Sequence, residues 1–268
     1  MAESRALAGR CVVVTRPAQQ AEPLLEALRA AGAAPLFFPV IDIVPLADLS
    51  ELQALANRLD HYDIAFFVSA NAVEQTLAVI PRAAWPASVR IATVGPGSAR
   101  ALQAQGFGEI MLPASRFDSE GVLDLPGMQA TAIAGKRVLV LRGNGGRELL
   151  AQTLVERGAQ VDVVSTYERR RAATAPAELL TCFAADGLAA ISFTSSEGAH
   201  NFVEHLRGAE GGDVLVGELF RTLPCFVPHP RIAEVLRALG VQNIVLTGAG
   251  DAALIEALEK YFGQEHCA

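Results

Sequence analysis

The chain repeats itself over a long period. "GRCVVVTRPAQQAEPLLEALRAAGAAPLFFP" (Gly9–Pro39) and "GKRVLVLRGNGGRELLAQTLVERGAQVDVVS" (Gly135–Ser165) both open glycine, basic, x, Val, x, Val, x, Arg, and both place Gly-Ala after an amphipathic helical pattern. Val12 and Val138, Arg16 and Arg142, and Gly32 and Gly158 each lie 126 positions apart. The same offset carries "DIAFFVSANAVEQTL" from Asp63 onto "AAISFTSSEGAHNFV" from Ala189, so that Ser69 falls on Ser195. A third pair, "SARALQAQGFGEI" and "IAEVLRALGVQNI", ends at Ile110 and Ile244, with eight further residues taken up near the glycine- and charge-rich "RGAEGGDV". A period this long exceeds that of solenoid repeats and marks a duplicated domain.

Each half reads strand-helix-strand followed by strand-helix units, the pattern of a mostly parallel sheet with helices on both faces. Strands are expected at Cys11–Val14, Pro35–Phe38, Ile64–Val68, Arg90–Val94 and Glu109–Leu112. In the second half they are expected at Arg137–Leu141, Gln160–Val164, Ala189–Phe193, Pro224–Val227 and Asn243–Leu246. The fold class is α/β: two similar lobes, each a mostly parallel sheet flanked by helices. The strand ends run into "VTRP", "VSAN", "VGPGS", "LRGNGG", "FTSSE", "VPHPR" and "LTGAGD". In open α/β sheets ligands bind beyond the carboxyl ends of the strands, so these loops are the candidate binding surface, and two sets of them suggest a cleft between lobes.

"LRGNGGRE" imitates a nucleotide loop without being one. It lacks the Lys-Ser/Thr of G-x-x-x-x-G-K-[ST], and Glu148 stands where G-x-G-x-x-G needs its third glycine. Its repeat partner "VTRPAQQAE" has no glycine. The two copies share Arg16 and Arg142, each just past a strand and before a helix, where free N–H groups and the dipole favour anions and a guanidinium fork matches a carboxylate. The formal net charge of −7 argues against broad nucleic-acid binding. No apolar run is long enough for a membrane span and no signal peptide is evident. Cys11, Cys182, Cys225 and Cys267 are scattered without C-x-x-C, which fits a reducing cytoplasm and indicates no metal site. His200 and His205, five apart, share no helix face.

The chain resembles the uroporphyrinogen-III synthases. The resemblance rests on an ordered set: "VVVTRP", "FFVSANAV", "TVGPGSARAL", "DSEGVLDL", "VLRGNGGRELL", "VSTYERR", "ISFTSSEG" and "LTGAGDAALIEAL". It covers nearly the whole chain. It implies an exchanged duplication joined by a two-segment extended linker, with crossings at Pro39–Leu46 and Ser165–Pro176. Lobe 1 is then residues 1–39 plus 172–268, and lobe 2 residues 40–171. "VPHPRIAE" departs from its repeat partner "VGPGSARA" in carrying His229 and Arg231.

The implied activity is that of a hydro-lyase. Hydroxymethylbilane, a linear tetrapyrrole with eight carboxylates, loses its terminal hydroxyl to give an azafulvene. Attack by the substituted carbon of ring D gives a spiro intermediate, which fragments and recloses with ring D inverted. No metal or organic cofactor is implied. The substrate is expected to be held in the inter-lobe cleft by its carboxylates, in a cytoplasmic monomer that binds neither nucleic acid nor membrane; the upstream bilane-forming enzyme is a further candidate partner. A non-catalytic two-lobed anion-binding or sensor protein is the alternative.

The candidate substrate-binding residues are Arg16, Ser69, Asn71, Gly95, Ser98, Arg142, Gly143, Asn144, Ser195, Ser196, His229, Arg231, Thr247 and Gly248. Several have plainer readings. Ser69, Asn71, Ser195 and Ser196 also suit N-caps. Arg16 and Arg142 also suit pins for strand ends, His229 a structural turn, Arg147 a solvated surface position, and Asp118 and Glu120 a helix start. Tyr167 is the candidate general acid, since a phenol keeps its proton at pH 7; the family carries a tyrosine in this segment. It is expected beyond the strand Gln160–Val164, facing the cleft, although "YERRR" also reads as a solvated charge run.

Overall fold

The computed structural model describes residues 6–265 apart from Arg147, Asp186 and Glu210; the expectation for Arg147 lies outside the described residues. The described strands are β1 (Cys11–Val14), β2 (Ala34–Phe37), β3 (Ile41–Pro45), β4 (Ile64–Phe67), β5 (Arg90–Thr93), β6 (Ile110–Met111), β7 (Arg137–Gly143), β8 (Gln160–Arg171), β9 (Leu188–Ser192), β10 (Cys225–Val227) and β11 (Ile244–Leu246). They form a five-stranded sheet in the order β11-β10-β9-β1-β2 and a six-stranded sheet in the order β3-β8-β7-β4-β5-β6. The chain divides into two compact units, the first made of the described residues up to Asp42 and those from Arg170 onward, the second of Ile43–Arg169.

The first unit is parallel throughout its sheet. Val12 and Val14 of β1 point into one apolar layer with Leu24, Leu28, Phe226, Leu258 and Phe262. Phe38, Phe193 and Phe220 surround Phe202 in edge and stacked contacts. The helix Ala18–Ala30 ends where Gly32 takes φ 86°, a left-handed conformation that costs glycine little.

The second unit repeats the design. β7 pairs in parallel with β4 and β8, and β4 with β5, which pairs with β6. Alternate residues serve opposite faces: Ala65, Phe67, Leu139 and Leu141 pack on one side of the sheet, Ile64, Phe66, Val138 and Val140 on the other. Burial on both faces explains why these strands read as continuous apolar runs rather than alternating ones.

By repeat position β1 matches β7, β2 matches β8, and β9, β10 and β11 match β4, β5 and β6. Apart from the additional edge strand β3, both sheets therefore have one strand order, but each contains the opening strand pair of one half and the three following strands of the other. This is an exchanged duplication. In each sheet the order reverses at one place, between β1 and β9 and between β7 and β4.

The strand expected to stop at Val164 continues to Arg171, so all of "STYERRR" lies inside β8, with β3 as its neighbour. Partners on both sides keep the backbone extended where composition suggests a loop. The charge run is only partly solvated: Arg170 and Arg171 are exposed, whereas Thr166 and Tyr167 are buried.

Candidate functional site

The reversal of strand order opens a crevice at the carboxyl edge of a parallel sheet, because the connections leaving the two central strands depart in opposite directions. In the first unit this position carries Arg16 after β1 and Ser195 and Ser196 after β9. In the second it carries Arg142, Gly143 and Asn144 at the end of β7, and Ser69 and Asn71 after β4. His229 and Arg231 follow β10, Thr247 and Gly248 follow β11, and Gly95 and Ser98 follow β5. The predicted residues thus fall into two sets, one per unit, each along one sheet edge.

Ser69 and Ser195 are helix caps, whereas Ser196 and Asn71, which also suit caps, lie inside the helices that follow them. Ser69 Oγ accepts from the Ala72 N–H (3.1 Å) at the start of the helix Ala70–Val79, and Ser195 Oγ accepts from the Gly198 N–H (2.9 Å) ahead of the helix Ser196–Arg207. The hydroxyl of Ser196 is buried without a hydrogen-bond partner among the described residues. Gly95 starts the helix Pro96–Ala104, within which Ser98 is buried; Asn71 is buried too. His229 caps the helix Pro230–Ala238, its Nδ1 accepting from the Arg231 N–H at 3.1 Å. That bond leaves the proton of the neutral ring on Nε2. Arg231 is exposed, and Thr247 donates its hydroxyl to the Gly248 carbonyl at 2.8 Å. Asp118 is the helix start it was read as, accepting from the Gly121 N–H at 2.8 Å.

The two repeat arginines are held by the protein's own acids. Arg16 Nη1 lies 2.7 Å from Asp251 Oδ1, with the arginine side chain 13% exposed, and Arg142 Nη2 lies 2.6 Å from Glu148 Oε1, with the arginine side chain 16% exposed. Both acids sit at helix starts, where the dipole favours a carboxylate. The residue that spoils the glycine fingerprint, Glu148, is thus the partner of Arg142. The sequence does not mark either acid as an arginine partner; the signal available is that each stands at a helix start just beyond a glycine-rich loop.

Tyr167 departs from expectation. It lies within β8 and is 0% exposed. The β7–β8 register slips between Arg142, opposite Ser165, and Gly143, opposite Tyr167, which leaves Thr166 as an extra residue. Such a bulge re-aims the side chains after it. The Tyr167 ring then lies across Gly143, where a Cβ would come within 2.5 Å of its Cε2. Its hydroxyl meets Ser69 Oγ at 3.1 Å and the Arg169 Nη2 at 3.3 Å. Asn144 fixes the strand beyond, its Oδ1 accepting from the Arg169 N–H at 2.5 Å. Tyr167, Ser69, Gly143 and Asn144 therefore form one cluster, and Arg169, whose place in the sequence is simply part of a charge run, belongs to it.

Among the described residues no three His, Cys, Asp or Glu side chains group as metal ligands, and no helix is long and apolar enough to cross a membrane.

Fold and site together define a duplicated, doubly wound parallel α/β protein with hydroxyl- and arginine-bearing loops at two reversal points. A model of the family described as uroporphyrinogen-III synthase HemD matches residues 22–256. The uroporphyrinogen-III synthase of Salmonella typhimurium is 34% identical over 267 residues, spanning 92% of this chain and 99% of that protein. That of Escherichia coli is 33% identical over 256 residues, spanning 92% and 99%. Among solved structures, a mutant uroporphyrinogen III synthase of Thermus thermophilus superposes with a TM-score of 0.62 at 17% identity, covering 96% of this chain and 99% of that one. The Helicobacter pylori protein superposes with a TM-score of 0.57 at 15% identity, covering 96% and 99%. The chain belongs to the uroporphyrinogen-III synthase family, and is accordingly an enzyme.

Proposed function

We propose that the protein dehydrates and cyclises hydroxymethylbilane with inversion of ring D, a hydro-lyase reaction giving uroporphyrinogen III. The observation that carries this reading is the pair of matched reversal points, each with an arginine at the end of one central strand and a capping serine after the other, in a chain of this family. A linear substrate with carboxylates along its length needs donors at separated places. Strand-end loops supply them through N–H groups and hydroxyls without making an acidic protein basic. Arg16 and Arg142 exchange their internal carboxylates for those of the substrate. Tyr167 is the proton source for the departing hydroxyl. Most of the catalytic benefit is orientation, since uncatalysed closure gives the uninverted isomer. No cofactor enters the reading, and the enzyme works as a cytoplasmic monomer, fed by the bilane-forming enzyme upstream.

The test is incubation with freshly generated hydroxymethylbilane, oxidation and isomer separation. Type III product formed faster than spontaneous closure is expected. Type I product alone, at the uncatalysed rate, would overturn the reading and favour an anion-binding role.

A further inference from the structure

The buried hydroxyl of Tyr167 has a determined hydrogen-bond direction. Its partners are the Arg169 guanidinium at 3.3 Å and Ser69 Oγ at 3.1 Å. A guanidinium only donates, so the phenol oxygen accepts from Arg169. A buried hydroxyl proton left without an acceptor is costly, and Ser69 Oγ is the acceptor beside it. The phenol therefore donates to Ser69. Ser69 Oγ also accepts from the Ala72 N–H at 3.1 Å. Both serine lone pairs are then used, and among the described residues nothing receives the serine's own proton. Ser69 is half-buried on the loop after β4, beside the end of β7, and Tyr167 is fully buried beneath it.

We propose that Ser69 is the group that delivers the proton to the departing hydroxyl, and that Tyr167 acts through it as the buried proton reservoir. This rests on the reaction proposed above. The bond between the hydroxymethyl carbon and its oxygen breaks with the electron pair going to oxygen. That oxygen takes the Ser69 proton and leaves as water, Ser69 takes the Tyr167 proton, and the phenolate is held against the Arg169 guanidinium. When the cyclised product restores its last pyrrole, the proton it releases returns by the same path, so the enzyme ends as it began. Arg169 is a positioning residue: it fixes which way the Tyr167 proton points.

Three substitutions at Ser69 separate this from capping and from simple binding. Asparagine and glycine both serve well as N-caps, and threonine keeps cap and hydroxyl. Ser69→Asn and Ser69→Gly are expected to lower kcat about 10²-fold, the low end of general-acid help, with KM little changed and thermal unfolding near that of the unaltered protein. Ser69→Thr, which keeps the hydroxyl, is expected to lose less turnover than Ser69→Asn or Ser69→Gly. Tyr167→Phe falls as far, and Ser69→Gly with Tyr167→Phe falls no further than either alone, because members of one relay are not additive. Arg169→Lys keeps more turnover than Arg169→Met. Full turnover in Ser69→Gly beside an impaired Tyr167→Phe would overturn the relay and leave Tyr167 as a direct acid. Multiplying losses in the double variant, or a rise in KM with kcat unchanged, would also overturn it. Failure of the unaltered protein to make type III product would instead remove the reaction itself.

Discussion

Gly143 has no side chain because Tyr167 occupies the space. Its backbone φ is not in the left-handed region, so the demand is for close approach alone. Gly143→Ala would drive a methyl into the ring at 2.5 Å; the ring is fully buried and the extra volume costs about 1–3 kcal/mol. A lowered midpoint in thermal unfolding is expected, with turnover reduced as the phenol leaves Ser69. An unchanged midpoint would mean that the ring swings aside freely. Tyr167→Phe makes the complementary change, keeping the ring and removing one hydroxyl. Its residual product is expected to remain type III, read by isomer separation, because the fold of the substrate is set by many loops and not by one proton donor. A switch to type I would show that the hydroxyl itself directs ring inversion.

At the scale of elements, the ion pairs Arg16–Asp251 and Arg142–Glu148 tie each central strand end to a helix start in the same unit. Glu148 is half exposed, and ion pairs at such sites stabilise by about 0–1 kcal/mol, so the second pair is better placed as a latch than as a brace. Glu148→Gln is expected to lower KM by loosening one of the contacts that hold Arg142, with little change in unfolding. Arg142→Ala raises KM and flattens its rise with salt, since the screened attraction is gone. A KM indifferent to both changes would make Arg142 a strand-end pin. A second tie has a pH signature. Tyr62, which leads into β4, donates to Asp162 of β8 at 2.6 Å. Burial first, and the Asp162 carboxylate next, push its phenol up to about 12. The folded form thus keeps a proton that the unfolded chain loses near pH 10. The resulting stability is complete below about pH 10 and is lost as pH rises toward 12. Tyr62→Phe should make alkaline unfolding less steep across that window, measured by denaturant midpoints at stepped pH.

At the scale of the molecule, the exchange makes the two units unequal in connectivity. Ile43–Arg169 is continuous and holds both apolar layers of its own sheet. The other unit takes β1 and β2 from one end of the chain and β9, β10 and β11 from the other, and β1 sits between β2 and β9. A fragment of residues 43–169 is therefore expected to unfold cooperatively by itself. A fragment beginning at residue 170 should not fold until residues 1–42 are supplied, because β9 lacks its neighbour. Circular dichroism melts of the fragments, apart and mixed, would decide; independent folding of the C-terminal fragment would contradict the dependence on β1. The sequence by itself determined the duplication, the parallel α/β class and the edge that carries the loops. These rest on local signals, namely apolar runs buried on both faces, helical periodicity and glycine at helix ends, which survive in one dimension. The tertiary structure alone decided the rest. Which half's strands share a sheet depends on pairings between Val12 and Ala190, or between Phe66 and Val140, residues far apart in the chain. The placing of Tyr167 turned on a one-residue slip against β7, and a shift of register moves a side chain to another face while leaving the sequence pattern unchanged.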